Sequence, residues 1–194
     1  MDWPSFSQHF AAYALGIGLL AGFLVYRNAK GTGAASMSKS ASSSTSNMVF
    51  LGVSGLLVTS LVIVYVFGFL YEATAVPQSF FVLFFAALLA LAVTLLAPDN
   101  KTTAGKTHHW SAHILTFLIM PMTALLYVQS ERFPGKGQSY INATEELLGV
   151  AFVLILVGIW TYRLQLNIKD KSRFISQQLY FLVFLVALTL RAYL

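Results

Sequence analysis

The stretch MVFLGVSGLLVTSLVIVYVFGFLY (48–71) runs for 24 residues without an acidic or basic side chain. The hydrocarbon core of a bilayer needs roughly 20 apolar residues per crossing helix, and a charge at its centre costs at least ~2.5 kcal/mol. A stretch of this length and composition therefore predicts a helix that crosses a membrane.

Five further apolar stretches of similar length lie on either side of it. Charged residues make up only 10% of the chain, against about 25% in a soluble domain. The sequence predicts an all-α, polytopic membrane protein: one six-helix transmembrane domain over 1–194, with helices at 10–26, 48–71, 78–97, 109–128, 144–162 and 174–193 and a serine-rich loop at 27–47. The connections are too short for an extramembrane catalytic domain of ordinary size.

The Lys and Arg residues indicate the orientation of these helices. With six crossings, nine of the 12 fall in the first, third and fifth loops and three on the other side. The nine are Arg27, Lys30, Lys39, Lys101, Lys106, Arg163, Lys169, Lys171 and Arg173, and the three are Arg132, Lys136 and Arg191. The positive-inside rule places loops 1, 3 and 5 in the cytoplasm and both termini outside it. The cations form no basic stripe, so no nucleic-acid partner is expected.

Small residues recur at every fourth position of the first helix: Ala14, Gly18 and Gly22. Such a row lets another helix approach closely, and close packing drives helix association in lipid. The row is a helix-packing surface, either inside the bundle or at a dimer seam. Gly52 and Gly55 in the second helix offer a similar face.

The histidines are the residues with the most scope for chemistry. His109 and His113 are four positions apart, so both project from one helix face as metal or haem ligands would. Two ligands make an incomplete site, and no Glu follows His109 as in the His-Glu-x-x-His motif. Three interpretations of these two residues and His108 are open. They are interfacial residues that cap a helix or form hydrogen bonds, they are metal ligands, or they are proton sensors.

Several chemistries are disfavoured by residues that the sequence lacks. The chain has no Cys, which excludes disulfides and zinc–thiolate sites. No predicted helix carries a central Lys for a Schiff base, an aspartate pair for proteolysis, or an ionisable residue for a charge-coupled pump. No catalytic residue is assigned, and the sequence favours a non-enzyme without deciding the question. No cofactor is expected beyond bound lipid, with metal or haem as the alternative.

The stretch APDNKTTAGKTHHWSAHILTFLIMPMTALLYVQ (97–129) resembles a family of six-helix membrane proteins, domain of unknown function 998. The matching positions are Pro98, Asp99, Thr103, Gly105, His109 and Pro121. The closing helix, with Gln177, Gln178, Leu179 and Arg191, is also similar. The resemblance implies a six-helix bundle and brings no established reaction.

The sequence thus predicts a non-catalytic integral membrane protein, an accessory or assembly subunit packed against other membrane proteins in the lipid bilayer. One alternative is a carrier or receptor for a lipid-like or uncharged small molecule, with a cavity beside Pro121 and neighbouring threonines. A second alternative is a metal- or haem-binding protein that uses His109 and His113.

Overall fold

A computed structural model describes residues 3–29, 45–72, 76–97, 103–128, 143–165 and 169–194. Every regular element in these residues is a helix. They are α1 (Trp3–Ser7), α2 (His9–Ala29), α3 (Thr45–Tyr65), α4 (Gln78–Leu96), α5 (Thr103–Leu125), α6 (Ala143–Leu164) and α7 (Asp170–Tyr193). Helix α3 continues directly into a π-helical segment, Val66–Tyr71.

Five helical stretches in this part of the chain are long and apolar enough to cross a membrane. They are Trp3–Arg27, Val49–Tyr71, Gln78–Leu96, Glu145–Leu164 and Ser172–Tyr193. Helix α5 is 23 residues long but does not belong to this set. Its first two turns carry Lys106 and neighbouring histidines, which lower its mean hydropathy.

Two helices begin earlier than the sequence predicts, because polar residues extend them beyond their apolar part. Helix α5 begins at Thr103 and ends at Leu125 instead of occupying 109–128. Helix α7 begins at Asp170 instead of 174. The predicted loop at 27–47 is helical at both edges, since α2 reaches Ala29 and α3 begins at Thr45; its residues 30–44 lie outside the described part.

The chain divides into two compact units, of which the first comprises residues 1–73 and 154–194. Within it, α2 packs against both α3 and α7. Val25 of α2 and Phe174 of α7 form a buried pair, covered by Tyr26, Phe50 and Leu51. Helix α2 is therefore the central element of this unit.

The short helix α1, which the sequence did not predict, packs on the π-helical segment through Gly68. A Cβ added to Gly68 would lie 2.6 Å from Ser7 Cβ and 3.0 Å from Trp3 Nε1. Ser7 is fully buried there, and its hydroxyl donates to the Pro4 carbonyl at 3.0 Å. Only glycine permits this approach.

The second unit comprises residues 74–153, and its main contact is between α4 and α5. Phe80 and Phe84 stack along the buried face of α4, with ring centroids 6.1 Å apart. Farther along the chain, the ring of Tyr127 stacks on Phe152 at 5.9 Å, and a Cβ at Gly149 would meet Tyr127 Cβ at 2.8 Å. The first half of α6 thus lies directly on the segment that follows α5.

Hydroxyl groups on the long helices bond to their own backbone. Thr116, Thr123 and Thr161 each donate to a carbonyl four residues earlier, at 2.7, 2.7 and 2.9 Å. Large apolar side chains face outward instead, among them Val82 and Leu89, each 68% exposed. This arrangement suits lipid, which offers no hydrogen-bond partners.

Candidate functional site

His108, near the start of α5 in the second unit, is a buried polar residue with two hydrogen-bond partners. Its Nδ1 lies 2.9 Å from the carbonyl oxygen of Thr94 and 3.0 Å from that of Ala97, at the end of α4. Carbonyl oxygens only accept, so Nδ1 carries the hydrogen and donates to both. The last four carbonyls of a helix have no partner within it, and His108 therefore caps α4.

Two hydroxyls complete this buried cluster, which we call the α4–α5 cap. Thr94 Oγ1 lies 2.7 Å from the Ala90 carbonyl and 2.8 Å from Ser111 Oγ. Ser111 Oγ in turn lies 3.0 Å from the carbonyl of His108. The cap ties the end of one helix to the start of the next, which is a structural role.

His109 and His113, the predicted metal ligands, lie on an exposed face of α5 and not in the cap. Among the residues that the structure describes, no three His, Asp or Glu side chains are grouped to hold a metal ion. Metal or haem binding at this pair stays a prediction. Leu115, Ile119 and Met122 form the buried stripe of α5. Extending this stripe toward the start of the helix at helical spacing leads to His108, so the apolar pattern in the sequence could have identified His108 as the buried histidine.

Two of the three residues in the predicted helix-packing row of α2 lie against α7. A Cβ at Gly18 would lie 2.8 Å from Leu185 Cδ1, and Gln178 Nε2 donates to the Gly22 carbonyl at 3.1 Å. Ala14, the third residue of the row, is fully buried. Gly18 and Gly22 therefore contact a neighbouring helix of the same chain.

An ionisable residue is buried where the sequence analysis expected none. Arg191 in the last turn of α7 is 6% exposed, although its charge was counted among those outside the membrane. Nearby in the chain, the Tyr193 hydroxyl lies 2.9 Å from His9 Nδ1, and Thr189 Oγ1 lies 3.2 Å from the Ala11 carbonyl. These contacts fasten the end of α7 to the start of α2.

Comparison of the chain with protein-family models, curated proteins and solved structures finds no match. The resemblance to domain of unknown function 998 accordingly stays a prediction.

Proposed function

We propose that this chain is an integral membrane protein with six crossings that acts without catalysis, as an accessory or assembly subunit of a larger membrane protein complex. The proposal has two parts, the number of crossings and the role as a subunit, and different observations support them.

The sixth crossing would be α5. Its 23 residues correspond to roughly 35 Å at 1.5 Å per residue, which exceeds a hydrocarbon core of about 30 Å. The exposed Lys106 lies in its first turn, and the polar groups of the α4–α5 cap bond to one another. With α5 crossing, the nine-to-three division of Lys and Arg follows the positive-inside rule.

The observation that carries the subunit role is an open small-residue face on α3. A Cβ at Gly52 or Gly55 would meet nothing within 4 Å, whereas a Cβ at Gly18 of α2 would meet α7 at 2.8 Å. In membranes, small residues favour helix contact because they let two backbones approach closely. The α3 face, defined by Gly52 and Gly55, is therefore proposed to receive a helix of another subunit.

A photocrosslinking amino acid placed at Gly55 tests this role in native membranes. The matched control position is Leu89 of α4, which is 68% exposed and surrounded by apolar residues. We expect a discrete, stoichiometric protein adduct from position 55 and none from position 89. An adduct of twice the chain's own mass would indicate a homodimer, and a monomer without any adduct would also contradict the subunit role.

A second candidate, the carrier or receptor of a lipid-like molecule, is favoured by one specific observation. A groove of about 400 Å³ lies between α6 and α7, within the range of about 300–1,000 Å³ typical of small-molecule pockets. It differs in place from the cavity expected beside Pro121 of α5. Groove-filling variants that abolish transfer of a labelled lipid between vesicles would support a carrier; unchanged transfer would count against one.

A further inference from the structure

The groove between α6 and α7, hereafter the α6–α7 groove, is lined mostly by apolar residues. Ile155 and Ile159 line it from α6, and Ile175 and Leu179 line it from α7. The distance from Ile155 to Tyr162 along the helix is roughly 10 Å at 1.5 Å per residue. A groove of this shape suits an extended hydrocarbon chain.

Gly158 keeps the groove open. It lines the groove, and a Cβ at this position would meet no atom within 4 Å. A larger side chain here would occupy the groove itself without displacing packed neighbours. The position thus allows the groove to be filled selectively.

One end of the groove is polar. Tyr162, Ser172 and Ser176 line it where α6 ends and α7 begins. The hydroxyl of Ser176 donates to the Arg173 carbonyl at 2.8 Å, which leaves its oxygen lone pairs able to accept a hydrogen bond. The lining therefore changes from apolar to polar along the groove, just as a lipid molecule changes from its apolar acyl chains to its polar head group.

Two arginines adjoin residues of this polar end in the chain: Arg163 directly follows Tyr162, and Arg173 directly follows Ser172. Arg173 Nη2 donates to the Gln165 carbonyl at 3.4 Å, which brings Arg173 to the end of α6 that carries Arg163. A phosphate group between two guanidinium groups is attracted to both, since the planar fork of arginine matches phosphate oxygens.

We propose that the α6–α7 groove binds an anionic phospholipid, with an acyl chain along Ile155, Ile159 and Leu179 and the phosphate between Arg163 and Arg173. An apolar channel that ends in two cations complements a lipid tail joined to an anionic head. The orientation in the proposed function places this end of the helices in the cytoplasmic leaflet, where anionic lipids are abundant. Binding itself depends on neither that orientation nor a partner subunit.

The test measures lipid binding to the purified full chain in detergent by native mass spectrometry. The probes are dioleoyl phosphatidylglycerol, which is anionic, and dioleoyl phosphatidylcholine, which is zwitterionic. We expect phosphatidylglycerol to bind about tenfold more tightly, and the double variant Arg163→Gln/Arg173→Gln to lose this preference. Arg27→Gln, at an exposed arginine of α2, is the matched control and should keep it.

Gly158→Phe provides an independent arm, because its side chain enters open space. We expect it to weaken phosphatidylglycerol binding about tenfold, whereas Gly16→Phe, where a Cβ also meets nothing within 4 Å, should leave binding unchanged. Three results would each overturn the proposal: unchanged binding to Gly158→Phe, equal affinity for both lipids, or binding of inorganic phosphate alone that is as tight as the binding of phosphatidylglycerol.

Discussion

Single residues fix the ends of the helices in this molecule. His108 spans the junction of α4 and α5 because its Nδ1–H reaches two carbonyls that α4 leaves without partners. Three histidines lie close together in the sequence, and the i, i+4 spacing of His109 and His113, typical of metal ligands, singles out those two as candidates. Which of the three is buried depends on the rotation of α5 against α4, and only the apolar stripe farther along α5 indicates that rotation.

Replacing His108 by alanine should lower the free energy of unfolding by about 1–3 kcal/mol, since two carbonyls at the end of α4 lose their donor. The matched control is Lys106→Ala, at an exposed position in the first turn of the same helix, which should change stability little. Thermal unfolding in detergent, followed by circular dichroism, measures both. Equal melting temperatures for the two variants would show that the α4–α5 cap contributes nothing to stability.

Gly68 permits the close contact of α1 with the π-helical segment. Gly68→Ala should destabilise the protein by about 1–3 kcal/mol through overpacking, because the new methyl group would lie 2.6 Å from Ser7 Cβ. Gly55→Ala in the same continuous helix has open space and is the control. Alanine has the higher helix propensity, so Gly55→Ala should not lower stability. A loss of stability in the Gly55 variant equal to that in the Gly68 variant would mean that contact with α1 does not explain the effect.

Whole helices were largely predictable from apolar length, whereas their ends were not. The length of an uncharged stretch indicates how much of a helix lies in the hydrocarbon core of the membrane, and not the full length of the helix. The polar first turns of α5 and α7 are therefore absent from the sequence prediction. The π-helical segment and α1 were missed for another reason. The two elements meet at Ser7 and Gly68, residues 61 positions apart in the chain, and no local sequence pattern indicates that contact.

The interface of α2 and α7 allows a test at the level of the helix pair. Gly18→Leu should separate the two helices, since even a Cβ at Gly18 would lie 2.8 Å from Leu185 Cδ1. We expect unfolding in sodium dodecyl sulfate at a lower detergent fraction, with a cost of about 1–3 kcal/mol. Gly16→Leu, on the open side of α2, should unfold as the unmodified protein does. A Gly18→Leu variant that unfolds like this control would contradict close α2–α7 packing.

At the scale of the whole molecule, the sequence predicted an all-helical chain with apolar spans, and the structure confirms helices throughout the described residues, five of them long and apolar enough to cross a membrane. The number of crossings depends on α5, whose polar start lowers its hydropathy while its length suffices. The sequence indicates a small-residue face at Gly52 and Gly55 but not that this face is open, and it does not indicate the α6–α7 groove. Both properties depend on which helices leave a surface uncovered.

The central claim is that α5 crosses the membrane, and the sidedness of the two loops that flank α3–α5 tests it most directly. The chain contains no cysteine, so Lys39→Cys and Lys136→Cys each introduce a single label site. With six crossings, a membrane-impermeant maleimide should label position 136 in intact cells and position 39 only after permeabilisation. Labelling of both positions from the same side would show that α5 does not cross and would contradict the account.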